Sequence, residues 1–305
     1  MEVLIIVTIL CYMVSAAAYF AYLFFQQNTL HRAGYLLVLA GFSCHTLSLV
    51  SIGISSGGFP VRNLHETLSI AGWTIAGFFL AFQSKFRLKV LGIYAAPLIA
   101  LIMIAVAQVP NTPSEQQDIF KNFWLISHVV AVFIGNAAFA LACGIGILYL
   151  LQERAIKTKN PGFFFRRLPS LDMLDGAGYS CIIVGFTLLT FGLISGFIYA
   201  KTIWGRFWSW DPKEVWSGIT WLFYAALLHE RLSVGWRGRR AAIMAIIGFA
   251  ILLFTFLGVN FLLKGHHKPF TTLSEFTGHR IGCVAGHLTD NSTPARPAPG
   301  SCGTL

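Results

Sequence analysis

The sequence predicts an all-α, polytopic membrane protein of about eight transmembrane helices. Three observations carry that expectation. Of the 305 residues, 56% are hydrophobic and only 11% are charged, against roughly 25% charged in an ordinary soluble domain. The apolar residues fall into eight runs, most of them close to the roughly 20 residues needed to cross a hydrocarbon core. Basic residues gather in alternate connections between those runs.

In chain order the runs lie at about 3–26, 34–54, 67–83, 89–108, 123–151, 177–200, 216–230 and 241–263. The third and seventh are short, so their ends are less defined than the count. The first has the length and the small-residue patch (Ala16 to Ala18) of a signal peptide. It has no basic segment before it, Glu2 being the only early charge, and it reads as a retained helix. With the N-terminus outside, the inner connections hold Arg32, the Lys85–Arg87–Lys89 group, Arg154 to Arg167, and Arg231 to Arg240, which is 13 of the 22 lysines and arginines. The outer side holds Arg62, Lys121, Lys201, Arg206, Lys213, Lys264 and Lys268, with acidic Glu115 and Asp118. Both termini are therefore expected on the outer (periplasmic) side. The net charge of +10 reflects membrane orientation, with lipid as the neighbour and nucleic acid not an expected partner.

A single membrane domain is expected over 1–270, without an internal repeat. The connection 152–176 is basic and contains Pro161, Gly162 and Pro169, with room for a short interfacial helix around Phe163 to Phe165. Residues 271–305, which end in PARPAPGSCGTL, have too little apolar content to fold alone and are expected to form a disordered tail. His279, Cys283 and His287 stand four apart there, but glycines flank them and a fourth ligand is missing, so a metal site is not expected. The six cysteines form no CxxC pair and no CxxCH. That excludes a CxxC-type thiol-disulfide enzyme and a c-type cytochrome.

The chemistry concentrates in the loop at about 201–216, where Trp204, Trp208, Trp210 and Trp216 bring four of the eight tryptophans into thirteen positions. An interfacial aromatic belt accounts for one or two aromatics at a helix end. It does not account for Arg206, Asp211, Lys213 and Glu214 set among them. A large planar ligand explains both, since indoles stack on or wall in a flat macrocycle while Arg206 and Lys213 pair with its anionic side groups. Asp211-Pro212 also makes a natural helix start. Asp211 thus has two readings, a helix cap or a part of the ligand site, and Glu214 has the bland reading of complementing the helix dipole.

If that ligand is a heme, its iron needs axial ligands, for which imidazole is a usual choice. His128 lies about one and a half turns into the fifth run from its outer end, and His267 lies just past the outer end of the eighth. Both reach the level of the tryptophan loop, a plausible bis-histidine arrangement. His229 is thirteen residues beyond Trp216, about 20 Å deeper at 1.5 Å per residue. An ionisable group in a span is a functional candidate, but Glu230 and Arg231 follow it, so marking the inner helix end is the competing reading. His45 reads as a satisfied core histidine, and His31, His65 and His266 read as surface residues.

Together these residues resemble the cytochrome c assembly family that carries the tryptophan-rich WWD signature, and within it the System II (CcsA/ResC) branch of heme-handling proteins. The resemblance runs from Asn63-Leu-His-Glu-Thr-Leu through Lys268 and is densest from Leu168-Pro-Ser-Leu-Asp to Gly258-Val-Asn. It implies heme b as the group handled, with His128 and His267 as axial ligands of heme presented outside. His266, where the family usually has an apolar residue, leaves the choice between His266 and His267 open. The family's intramembrane ligand matches His229, whose counterpart is implied to come from a ResB/CcsB subunit. The implied activity is cytochrome c biogenesis: heme crosses the membrane and is presented for thioether attachment to the CxxCH of apocytochrome c by a synthase complex. The implied location is the bacterial inner membrane, with the thylakoid membrane as the alternative. A CcmC-like heme exporter and a HemX-like regulatory protein are the alternatives without ligation activity. No general acid or base is identified.

Overall fold

In the computed structural model, residues 2–111, 122–158 and 167–258 are described. Eight α-helices follow one another: α1 Glu2–Phe25, α2 Asn28–Ser56, α3 Leu64–Phe86, α4 Gly92–Gln108, α5 Phe123–Lys157, α6 Leu171–Trp204, α7 Pro212–Ser233 and α8 Arg239–Leu253. A 3₁₀ turn, Lys89–Leu91, leads into α4, and a π turn, Phe254–Gly258, prolongs α8. The helices exceed most of the apolar runs because polar caps and flanking turns extend them. Asn63, Asn122 and Ser170 each accept a backbone N–H at the start of α3, α5 and α6, which satisfies donors that a helix start leaves open.

Seven of the described helices are long and apolar enough to cross a membrane; α7 is not among them. Its 22 residues include Lys213, Glu214, His229, Glu230 and Arg231, and these polar side chains lower its apolar content. The interfacial helix expected around 163–165, the tail 271–305 with His279, Cys283 and His287, and His266 and His267 lie outside the described residues.

Small residues decide how closely the helices pack, as they do where lipid rather than water surrounds the bundle. On α1 the buried positions include Thr8, Tyr12, Ser15, Tyr19 and Tyr22; on α2 they include Gly34, Val38, Gly41, His45, Ser48 and Ile52. Both sets alternate steps of three and four, the spacing of a two-helix seam. Large meets small across it. Tyr12 lies over Gly41 and Tyr19 over Gly34, while Ser15 Oγ donates to the Gly34 carbonyl at 2.8 Å. His45 is buried in this seam and hydrogen-bonds through Nε2 to Ser69 Oγ at 2.9 Å, as expected of a satisfied core histidine.

The second seam joins α5 and α6. Gly178, Gly185 and Gly192 recur every seven residues on α6, so they return to one face, and that face meets α5. A Cβ added at Gly185 would come within 2.7 Å of the Phe139 ring, and one at Gly192 within 2.7 Å of Val132. Gly135 of α5 lies opposite, against the Gly185 carbonyl. α5 is also the centre of the bundle, packing against α3 and α8. Tyr224 of α7 stacks on Phe139 with ring centroids 3.6 Å apart, and Gly248 of α8 makes room for the same tyrosine. Three helices are thus keyed to one aromatic pair.

Overpacking a tight helix seam costs about 1–3 kcal/mol. Gly185→Leu is expected to lower the thermal unfolding midpoint of the detergent-purified protein, whereas Gly176→Ala, at a position with open space, leaves it unchanged or raises it.

Candidate functional site at the α5, α6 and α7 ends

His128 stands in the second turn of α5. A ring nitrogen facing a carbonyl can only donate, so the 2.7 Å contact from Nδ1 to the Gly192 carbonyl of α6 fixes the tautomer. Nδ1 carries the proton and Nε2 keeps its lone pair, the arrangement found when an imidazole ligates a metal through Nε2. Glycine is required around it. A Cβ at Gly196 would lie 2.7 Å from Nδ1, so the ring occupies the space that a side chain there would fill. Ser195 Oγ also donates to the Gly192 carbonyl at 3.0 Å.

The tryptophan loop leaves α6 above this point and returns toward it. Trp204 is the last residue of α6 and Gly205 takes the left-handed cap, φ 71°. Trp208 then packs its ring against Phe197, centroids 5.8 Å apart, and over Gly218 of α7. Phe197 adjoins Gly196, so Trp208 and His128 sit on neighbouring positions of α6. The Trp208 Nε1–H is buried without an acceptor among the described residues. Trp210 is 78% exposed and meets Trp208 edge to face at 5.8 Å. Its φ of 59° is uncommon for a bulky residue and turns its indole outward. Trp216 meets Phe254 of the π turn edge to face at 4.5 Å. Trp208, Trp210 and Trp216 therefore do not form one flat wall; they divide between packing and exposure, and the Trp204 side chain lies outside what is described.

Asp211 is buried and caps α7. Its carboxylate accepts from the Lys213 N–H at 2.9 Å, and together with Glu214 it forms a capping box. Glu214 does more than complement a dipole. Its carboxylate accepts from the Ser209 N–H and the Ser209 hydroxyl, both at 2.8 Å, and from the Asp211 N–H at 3.4 Å. This clasp folds the loop onto the helix it precedes. Sequence reasoning missed it, although the Ser209-x-Asp211-x-x-Glu214 spacing resembles a capping box with one more hydroxyl. Of the two loop cations, Arg206 is exposed, whereas Lys213 is half-buried and is an electrostatic neighbour of His128.

The π turn closes the side toward α8. Thr255 Oγ1 shares a hydrogen bond of 3.0 Å with Thr220 of α7, and Phe256 meets Phe133 of α5 at 5.9 Å. Such turns often mark functional sites. His267 follows it in the sequence and lies outside the described residues.

His229 stands apart, toward the other end of α7. It is exposed, on a stripe with Ile219, Leu222 and Ala226 that this chain leaves uncovered. Its neighbour Arg231 takes the structural role there. The guanidinium grips Asp175 of α6 at 2.6 and 3.0 Å and lies 4.2 Å from the Tyr179 ring centroid, while Asp175 also accepts from the Gly238 N–H at 2.8 Å. This clamp holds α7 and the α7–α8 turn to α6. At the start of α3, buried Glu66 pairs with Arg62, a second ion pair that the sequence pattern did not single out. Among the described residues no cluster of three or more metal-type ligands occurs.

A family described as "Cytochrome C assembly protein" matches residues 34–267. A "Cytochrome c biogenesis protein CcsA" of Prochlorococcus marinus (strain MIT 9215) is 35% identical over 269 residues, covering 80% of this chain and 86% of that protein. A protein of the same description from Guillardia theta is 31% identical over 282 residues, covering 86% and 94%. Among solved structures, "Cytochrome c Heme Lyase CcmF" superposes with a TM-score of 0.61 at 14% identity, covering 88% of this chain and 48% of that one. The likeness to that structure is one of fold.

Capping substitutions cost about 0.5–2 kcal/mol. Asp211→Ala is expected to lower thermal stability by that order while Asp211→Asn, itself a good cap, retains most of it. Equal losses in the two variants, read by thermal unfolding, would show that the negative charge of Asp211 matters beyond capping.

Proposed function

The chain belongs to the cytochrome c assembly protein family, which works in cytochrome c biogenesis, and on that premise we propose that it carries heme b to the outer face of a membrane and presents it there for attachment to apocytochrome c. The observation that supports this most directly is the state of His128: its Nδ1–H is given to the Gly192 carbonyl and its Nε2 is left to bind iron. The groups around it fit the same cargo. An indole N–H without an acceptor, a half-buried ammonium and an outward-turned indole surround a polar, planar ligand better than they fill an apolar core.

In this reading α7 is the eighth crossing, both termini lie outside, and the membrane is the bacterial inner membrane. The positive-inside distribution of the connections supports that orientation. Heme enters at His229, whose open helix face receives a ResB/CcsB subunit that supplies the second ligand. It then passes to the outer site, where His128 and His267 hold the iron from opposite sides and Trp208, Trp210 and Trp216 limit the approach of solvent. The cysteine thiols of a CxxCH segment add across the vinyl groups. Each addition forms a carbon–sulfur bond and places the thiol hydrogen on the adjoining carbon, so neither oxidant nor reductant is consumed. The histidine of CxxCH replaces one ligand of this chain. We assign no general acid or base; the chain's contribution is to hold iron and vinyl edge in place, an effect of positioning.

Purified together with its partner subunit, the wild-type chain is expected to show the visible spectrum of six-coordinate heme. His128→Ala should lose most of the signal from the outer site, and co-expression with a CxxCH acceptor should then yield little covalent cytochrome c. A wild-type complex without heme would overturn the reading. Heme delivery without bond formation would favour an exporter of the CcmC type.

A further inference from the structure

The two loop cations that the sequence treats alike differ in the structure. Arg206 is exposed to solvent. Lys213 is half-buried in the first turn of α7, and among the described residues its Nζ makes no hydrogen bond or ion pair. Among the described residues its counter-charge is Asp211, whose carboxylate also caps the helix start. Its other electrostatic neighbour is His128, a group of no negative charge. A half-buried ammonium that makes no ion pair is poorly compensated, and its charge reaches an imidazole with a free Nε2, so the site suits an anion that arrives with the ligand. The Trp208 indole N–H, buried and without an acceptor, is a second donor in the same loop awaiting an acceptor.

Resting on the outer heme site proposed above, we propose that Lys213, and not Arg206, is the positioning residue that receives a propionate carboxylate of heme. The porphyrin carries its two propionates on one edge and its vinyls on the others. Holding the propionate edge at the start of α7 therefore fixes the rotation of the ring about the iron–His128 axis and directs the vinyls away from Lys213. Lysine suits this task because its single compact charge on a flexible stem follows a carboxylate without demanding bidentate geometry.

The test compares hemin with hemin dimethyl ester, which keeps iron, ring and vinyls but loses the carboxylate charge. Both are titrated, by visible absorption, into the detergent-solubilised complex of the full chain with its partner, prepared without heme and carrying His229→Ala so that the inner histidine does not contribute. Wild-type Lys213 should bind hemin more tightly than the ester. Lys213→Met should weaken hemin about tenfold or more while leaving the ester unchanged, Lys213→Arg should keep most of the preference, and Arg206→Met should keep all of it. Equal weakening of both ligands by Lys213→Met would reduce Lys213 to a packing role and overturn the proposal, as would unchanged binding of both. Unaltered binding of both ligands to His128→Ala would instead overturn the outer site itself.

Discussion

Everything at the candidate site depends on how closely α5 and α6 approach. Without side chains at Gly192 and Gly196, an α6 backbone carbonyl comes within 2.7 Å of an imidazole nitrogen on α5. That one hydrogen bond holds the His128 ring in place and assigns its proton. It relies in turn on Gly135, Gly185 and Phe139 further along the same interface, since a seam pried open at any level would lengthen it. Histidines that bind metal commonly donate their second nitrogen to a carbonyl or carboxylate. Here the acceptor is part of a helix ladder, which is stiffer than a side chain would be.

The loop between α6 and α7 is built on the same frame by different means. Its shape comes from carboxylates rather than from tryptophans: Asp211 starts α7 and Glu214 gathers Ser209 and Asp211 onto it. The indoles are then distributed by that backbone, with Trp208 between helices, Trp210 outward at a positive φ, and Trp216 on the π turn. A positive φ at a large residue costs free energy, and a clasp of short hydrogen bonds offsets it. The opposite end of α7 is held by the Arg231–Asp175 pair, which leaves His229 to face outward. One helix thereby joins an inward-packed end to an open one.

Much of this was legible in the sequence because it is written in composition and period. The helices follow from apolar run length; the glycines seven apart on α6 became a packing face only once the structure set them against α5. The depth of His229 below Trp216 was read from 1.5 Å per residue, and that of His128 from its place about one and a half turns into the fifth run. What the sequence does not carry is direction. Trp208, Trp210 and Trp216 look equivalent as letters, yet one packs, one is exposed and one meets a π turn, since loop backbone rather than residue type sets their orientation. Arg206 and Lys213 likewise look interchangeable until burial separates them. Asp175 and Arg231 lie 56 residues apart, a separation at which no local pattern links them. The limited apolar content of α7 was visible in its charges, and its run, like the third, was short, so the ends of both were expected to be less defined than the count.

In the proposed function, heme iron is bound by Nε2 of His128. The most direct measurement replaces the side chain and gives back its ring: His128→Gly in the complex with the partner subunit, examined by visible spectroscopy before and after addition of imidazole. The account predicts that the variant loses the six-coordinate signal of the outer site and that free imidazole, entering the space beside Gly192 and Gly196, restores it. An unaltered spectrum in His128→Gly without imidazole would contradict it.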